Sequence, residues 1–167
     1  IADAAKNLRD SSFESFSIYL DSFKNSKLKD EDAIEKITMS LMMGLYRFTG
    51  YKTKGNEKTK SLKEATILTG SNKNFDVQIK FASIVGDAVI KTRDIVNTPP
   101  NIANPEYISN YAKDLAKKSG LKCTVFDEKQ IEKMKMGCLS AVGRGSISKP
   151  KLVVLEYCGA GKQKPIA

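Results

Sequence analysis

The spacing of apolar residues along this chain predicts helices and strands in alternation. Strands are indicated where apolar and polar residues alternate or where a short apolar run stands between turn residues; helices are indicated where apolar residues recur every three or four positions. The strand stretches are residues 16–20, 65–69, 121–125 and 152–155. The helical stretches begin at Ala2, Asp30, Asp76, Asn104 and Asp127. Because both kinds of element alternate from end to end, we predict an α/β fold.

The second predicted helix has an apolar stripe and a signal at each end. Asp30 is placed to cap its N-terminus, with Glu31 and Asp32 in the first turn, near the positive end of the helix dipole. Gly50 is placed to end the helix. The stripe consists of Ile34, Ile37, Leu41, Leu45 and Phe48. Such a stripe is typical of a helix that buries one face.

The third predicted helix is long and ends abruptly. Its apolar positions are Phe81, Ile84, Val85, Ala88, Ile95 and Val96. It must end near Asn97, because Pro99 disfavours the α conformation in the residue before it. A new helix follows within a few residues, since Asn104 can cap it and Pro105 can take the first helical position. Gly120 is placed to end that helix.

Composition narrows the class of protein. Of the 167 residues, 41% are hydrophobic and 28% are charged, as in ordinary globular proteins. No apolar run approaches the roughly 20 residues that span a bilayer, and the N-terminus lacks the pattern of a signal peptide. We therefore expect a cytoplasmic protein with no membrane partner. Residues 164–167 read as the opening of a buried strand, so we also expect the chain to be a fragment.

The net charge of +9 leaves a nucleic-acid-binding function open. Lysines concentrate in Tyr51–Lys63, and the aromatic residues of 46–51 lie beside Arg47 and Lys52, where they could stack on bases. Surface lysines that aid solubility and aromatic residues in the core explain the same pattern. A basic nucleic-acid-binding α/β module without catalytic activity is therefore the alternative function.

Cysteine and histidine usage excludes several kinds of site. Cys123, Cys138 and Cys158 are widely spaced and odd in number, which does not fit a disulfide framework or a C-x-x-C zinc site. The chain has no histidine, so a Ser-His-Asp triad, a Cys-His pair and a histidine-ligated metal are excluded within it. We expect three buried, reduced thiols.

Other candidate motifs have simpler explanations. Val142–Ser146 precedes a strand instead of following one, and Gly159–Lys162 lacks the glycine spacing and the hydroxyl residue of a P-loop. The acidic groups at Asp30–Asp32 and Asp127–Glu128 stand where helix caps are expected, and Asp127 with Gln130 forms a plausible capping box. From the residues alone we assign no catalytic, metal-binding or cofactor-binding residue.

Four stretches nevertheless form an ordered pattern. The first is GLYRF at 44–48, followed by YK at 51–52. The second is TRDIVNTPPN at 92–101, continued by NPEY at 104–107. The third is MG at 136–137 with AVGRGS at 141–146, and the fourth is VLEY at 154–157. Together they resemble the leucine aminopeptidase family, the cytosolic two-metal exopeptidases, over Gly44–Ala167. Ala103, where the family more often has cysteine, and the variable residues 147–149 are mild departures.

The resemblance implies a domain organisation. Family members have an N-terminal α/β domain, a long connecting helix and an α/β catalytic domain with a mostly parallel sheet. By this resemblance, residues 1–72 are the latter part of the N-terminal domain, 73–98 the connecting helix, and 99–167 the first part of the catalytic domain. The two prolines would then mark the start of the catalytic domain.

The resemblance also implies a chemistry, and places it outside this span. In the family, two divalent metal ions, manganese or zinc, are held by a lysine, aspartates and a glutamate, and an arginine holds a bicarbonate that acts as general base. All of these follow the strand that begins near Pro165. The implied parent enzyme is a hexamer that hydrolyses N-terminal residues from peptides. We expect the isolated chain to be inactive and to bind no metal.

Overall fold

The computed structural model describes residues 1–11, 13–23, 27–53, 62–161 and 163, which form two compact units. Unit 1 is Ile1–Asn97 and unit 2 is Thr98–Ala167. The elements of unit 1 are α1 (Ala2–Arg9), β1 (Ser15–Tyr19), α2 (Asp30–Leu45), β2 (Glu64–Leu68) and α3 (Asp76–Asn97). Those of unit 2 are α4 (Pro105–Ser119), β3 (Lys122–Phe126), α5 (Glu128–Lys133), α6 (Gly137–Gly143) and β4 (Leu152–Glu156). The predicted α/β class is confirmed, whereas the division at 72 and 98 stays a prediction.

Unit 1 is built on a parallel pair of strands covered by helices. β1 and β2 pair in parallel, with Phe16 opposite Ala65 and Ile18 opposite Ile67. Ile18 of β1 lies in the same buried cluster as α2, whose predicted stripe is buried as far as Leu41. The core consists of Ala5, Ile18, Leu20, Ala33, Ile34, Ile37, Leu41 and Phe75. Burial of this apolar cluster is the main term that stabilises unit 1.

Both predicted ends of α2 are wrong. Its N-cap is Lys29, which makes no side-chain capping bond, and Asp30 is the first helical residue. The helix ends at Leu45, so Phe48 lies outside it and Gly50 does not terminate it. At the C-terminus, Tyr46 turns to an extended conformation, and its carbonyl accepts a hydrogen bond from the guanidinium of Arg9, which is distant in the sequence.

The bounds of α3 are confirmed, but its predicted apolar stripe is wrong. Phe81 and Ile84 are 55% and 60% exposed, while Ala82 and Gly86 are buried. Small residues on this face let α2 approach closely: a Cβ added at Gly86 would lie 2.5 Å from Met42 Sδ. The helix therefore packs through its small residues and leaves larger apolar residues in solvent.

Unit 2 begins with a helix whose predicted ends are confirmed. The Asn104 side chain accepts a hydrogen bond from the Tyr107 amide at 3.0 Å, and Pro105 is the first helical residue. Gly120 ends α4 in the left-handed conformation, with φ 66°. The predicted capping box of Asp127 and Gln130 is also present at the start of α5. Helix α6 was not predicted, because its sequence of seven residues reads as a glycine-rich turn.

The two strands of unit 2 pair antiparallel. Thr124 lies opposite Val154, and Lys122 pairs with Glu156 across the strands at 2.6 Å. The apolar run in β4 predicts a strand buried on both faces, yet Val154 and Leu155 are 37% and 41% exposed. A strand with a single partner and apolar side chains on both faces leaves part of that surface in solvent. The parallel strand pair described in this chain is therefore the one in unit 1.

None of the described helices is both long enough and apolar enough to cross a membrane.

Candidate functional site

The end of α2 and the end of α3 meet in one side-chain network. The Arg93 guanidinium lies 3.9 Å from the centroid of the Tyr46 ring, a cation–π contact, and donates to the Met43 carbonyl at 3.0 Å. The Tyr46 hydroxyl donates to Asp94 Oδ1 at 2.7 Å and accepts from Asn97 Nδ2 at 3.1 Å. The first two stretches of the family resemblance are thus brought together, and their polar side chains bind one another.

The network perturbs the acidity of Tyr46. Partial removal from solvent raises the pKa of its hydroxyl above the ordinary value of 10.0, and the hydrogen bond to Asp94 raises it further. Asn97 and the Arg93 cation act in the opposite direction and are outweighed. A phenol with a raised pKa stays protonated at neutral pH, so it serves here as a hydrogen-bond donor and not as a base.

A second set of polar side chains joins α1 to the end of α2. Arg9 donates to the Tyr46 carbonyl at 2.9 Å and also pairs with Asp10 at 3.1 Å. Arg47 pairs with the same carboxylate. The Arg9 hydrogen bond, and then Arg47, hold the pKa of Asp10 below its ordinary value. Sequence reasoning missed Arg9 and Asp10, because no motif or periodicity distinguishes them from other charges on a helix end.

Gly44 in the first stretch is required for packing. A Cβ at this position would lie 2.6 Å from the Ala2 carbonyl oxygen and 2.8 Å from Ala5 Cβ. Helices α1 and α2 therefore cross at a distance that only glycine permits. The glycine, the tyrosine and the arginine of this region thus act in joining α1, α2 and α3.

The proline pair begins unit 2 with a tight turn. The Pro99 carbonyl accepts hydrogen bonds from the Ile102 and Ala103 amides at 2.9 and 2.8 Å. Thr98 is buried at 8% exposure. This turn leads directly into the Asn104 cap, so the prolines separate two helices without a long loop. Within the stretch from Thr92 to Tyr107, Arg93, Asp94, Asn97, Pro99 and Asn104 thus have structural roles.

A strained helix end stands immediately before the third stretch. Lys135 has φ 56°, which places a lysine in the left-handed conformation that favours glycine. It follows the last turn of α5, where the Met136 amide bonds the Ile131 carbonyl and the Lys135 amide bonds the Glu132 carbonyl. These two bonds define a Schellman motif, which explains the unusual conformation without a functional role.

A surface cavity of about 370 Å³ lies between α5 and α6. It is lined by Glu132, Lys135, Met136, Gly137, Ser140, Ala141 and Arg144. Further along the third stretch, a Cβ at Gly143 would lie 2.7 Å from Pro150 Cγ, so this glycine permits the turn that leads to β4. The stretch Val142–Ser146 thus closes α6 and begins a turn, and does not cradle a phosphate at the start of a helix.

The remaining candidate residues lie apart from one another. Asp127 caps α5, and the acidic residues at 30–32 occupy the first turn of α2. The three cysteines are free thiols, as predicted, but the expectation that they are buried is wrong: Cys138 and Cys158 are exposed and Cys123 is half-buried. Within the described ranges, no three side chains of histidine, cysteine, aspartate or glutamate lie together as a metal site would require. The prediction that metal and catalytic residues lie outside this span stays a prediction.

The lysine-rich stretch gives little structural support for nucleic-acid binding. Residues 54–61 and Lys162 lie outside the described residues. Where the stretch is described, Lys63 pairs with Glu14 at 3.1 Å, and the Phe48 and Tyr51 rings pack on each other with centroids 5.7 Å apart. The aromatic residues therefore contact each other instead of forming an open stacking surface.

The family comparison agrees with the ordered stretches. Residues 90–167 match the cytosol aminopeptidase family, catalytic domain. Residues 90–167 belong to the cytosol aminopeptidase family. A probable cytosol aminopeptidase of Helicobacter hepaticus is 34% identical over 99% of the chain, and one of Aquifex aeolicus is 37% identical over 80%. The recognition from four stretches is confirmed.

Solved structures agree on the fold. A variant of tomato leucine aminopeptidase matches with a TM-score of 0.80 over 92% of this chain, at 21% identity. The bottromycin maturation enzyme BotP in complex with Mn matches with a TM-score of 0.78 over 93%, at 22% identity. The chain spans only about a third of these structures, 31% and 32%, and 34% and 26% of the two sequence relatives.

Proposed function

We propose that this chain is the front part of a two-metal leucine-type aminopeptidase, a hydrolase that removes N-terminal residues from peptides. The match of residues 90–167 to the catalytic domain of the family carries the proposal. Because the chain spans 34% of the Helicobacter relative, most of a complete enzyme of this kind would lie outside the present sequence. Peptides as substrates, a homo-hexameric assembly and a cytoplasmic location belong to the same proposal.

The cofactor of the proposed enzyme is a pair of divalent metal ions, manganese or zinc. The manganese complex of BotP supports a divalent metal. Such ions polarise a scissile carbonyl and supply a bound hydroxide. The donors of this chain do not fit such a centre, since the described residues bring no three metal-ligating side chains together. We therefore derive no catalytic step from these residues and propose that the ligands lie elsewhere in the enzyme.

Within the proposed enzyme, the described side chains near the end of α3 would serve as framework. The end of α3 is fixed to α2 by the Tyr46 and Arg93 contacts, and the Pro99 turn follows within a few residues.

The proposal is tested with two proteins assayed side by side. The purified 167-residue chain, with manganese or zinc added, is expected to release no leucine from leucine amide. The product of the same gene read beyond Ala167 is expected to release leucine in a metal-dependent reaction. Release by the short chain, free of contaminating peptidases, would overturn the placement of the ligands. A longer product that is folded, metal-loaded and inactive on leucine amide and leucyl peptides would overturn the function.

A further inference from the structure

We propose that the exposed face of α3 is a self-association surface, through which two copies of this chain pack their α3 helices antiparallel. The face consists of Val77, Phe81, Ile84 and Ala88. The inference depends on neither the peptidase activity nor the hexamer proposed above, because it rests on exposure, spacing and charge within α3.

The described part of unit 1 leaves this face exposed. Val77, Phe81 and Ile84 are 75%, 55% and 60% exposed, and Ala88 is exposed as well. The opposite side of α3, at Ala82 and Gly86, is the side that packs in unit 1. Single exposed apolar residues are common, but four in a line along one helix form a contiguous patch that marks an interaction site.

The spacing of the four residues specifies another helix as the occupant. Their separations alternate between four and three positions, which is the repeat of 3.5 residues that forms the seam of a coiled coil. The repeat continues at Ile95, after an interruption at Lys91. A partner that fits this seam is a helix with the same spacing. Among the described helices, α3 itself carries this spacing on an exposed face. The proposed partner is therefore α3 of a second copy.

Charges beside the seam select the antiparallel orientation. An antiparallel pair centred between Phe81 and Ile84 brings Phe81 of one copy against Ile84 of the other, and Val77 against Ala88. Lys80 and Asp87 flank the seam on one side, and the same centre places Lys80 of each copy beside Asp87 of the other. Both side chains are exposed, and neither forms an ion pair or hydrogen bond within the described part of the chain. The arrangement is self-complementary, as a twofold interface requires.

The patch is short, which sets the strength of the contact. From Val77 to Ala88 the helix rises about 17 Å, so the contact buries less area than a standard protein interface. We therefore expect a weak dimer in rapid exchange, visible at high protein concentration and dissociated on dilution. Apolar contact supplies the attraction, while the two charge pairs chiefly set register and orientation.

A charge exchange tests the orientation directly. Sedimentation equilibrium of the 167-residue chain over a wide dilution series gives the dimer dissociation constant. Lys80→Asp places two carboxylates side by side at both ends of the contact, and is expected to weaken dimerisation roughly tenfold or more. The double variant Lys80→Asp/Asp87→Lys restores opposite charges and is expected to recover the affinity of the original chain. Phe81→Ser tests the apolar seam and is expected to weaken dimerisation in the same assay.

Two controls separate this surface from other modes of association. Val96→Ser removes an apolar residue that is 77% exposed on the same helix but outside the seam, and should leave the dissociation constant unchanged. Circular dichroism confirms that each variant is folded. A chain that stays monomeric at the highest concentration overturns the proposal. So does a dimer that tolerates Lys80→Asp and Phe81→Ser, because its contact would then lie elsewhere, for example at an open strand edge.

Discussion

Substituting Gly44 by alanine tests whether the close crossing of α1 and α2 is a requirement of the fold. Alanine favours a helix interior over glycine by about 1 kcal/mol, which would stabilise α2. The added Cβ would however lie 2.6 Å from the Ala2 carbonyl oxygen and 2.8 Å from Ala5 Cβ. Overpacking of this kind costs about 1–3 kcal/mol. Since one obstacle is backbone, and moving α1 would expose the fully buried Ala5, we expect a net loss of about 1–2 kcal/mol in the free energy of unfolding.

The matched control for this experiment is Gly86→Ala. That position is also in a helix interior, but the obstacle is the Met42 side chain, whose sulfur would lie 2.5 Å from the new Cβ. A flexible methionine can move, so the gain in helix propensity offsets much of the cost, and we expect a change within about 0.5 kcal/mol.

Urea unfolding of both variants, followed by circular dichroism, measures the two free energies. The reasoning fails if Gly44→Ala is as stable as the original chain, because α1 and α2 would then have space for a Cβ that the structure does not show. An equal loss of unfolding free energy in both variants would show that it makes no difference whether the new Cβ meets the backbone or a flexible side chain.

Further predictions concern single side chains, each checked by urea unfolding. Tyr46→Phe keeps the ring beneath Arg93 but removes two hydrogen bonds, and should cost about 1 kcal/mol; a neutral result would mean that the bonds are exchanged for water without loss. Lys135→Gly should gain about 0.5–1 kcal/mol by relieving the left-handed strain, whereas Lys135→Ala should gain nothing. Asn104→Ala should cost about 1 kcal/mol, and Asn104→Asp, which keeps the cap, should cost little. The Lys151 hydrogen bond, and then its charge, lower the pKa of Glu106 from 4.5. This pair therefore contributes stability above pH 4.5 that is lost as the pH falls through the lowered pKa, and Glu106→Gln should flatten that part of the stability profile.

Signals that are local in the sequence predicted local structure well. The Asn104 cap with Pro105 and the capping box at Asp127 were both found as predicted, because each depends on residues within one turn. Asp30 shows the limit of such signals: a residue suited to capping is displaced by one position when Lys29 takes the extended conformation. Nothing in the local sequence decides whether Asp30 or Lys29 is the N-cap of α2.

The packing of α3 could not be predicted from apolar spacing alone. Its large apolar residues predict one buried face, whereas the buried face carries Ala82 and Gly86. Two helices that approach closely bury small residues, and the choice of face depends on the partner helix, which the sequence of α3 does not contain. The same argument applies to Tyr46, whose partners Arg93 and Asp94 lie far along the chain.

No active site is assigned in this chain because the described residues of the family stretches have structural roles. Gly44 permits a helix crossing, and Tyr46 and Arg93 join two helices. Asn104 caps a helix, and Gly143 permits the turn next to Pro150. Residues that identify a family can therefore be residues that define its framework, since a catalytic centre needs the same supporting shell in every member. Resemblance identified the enzyme class from these residues, whereas physical reasoning from the same residues could recover only the framework.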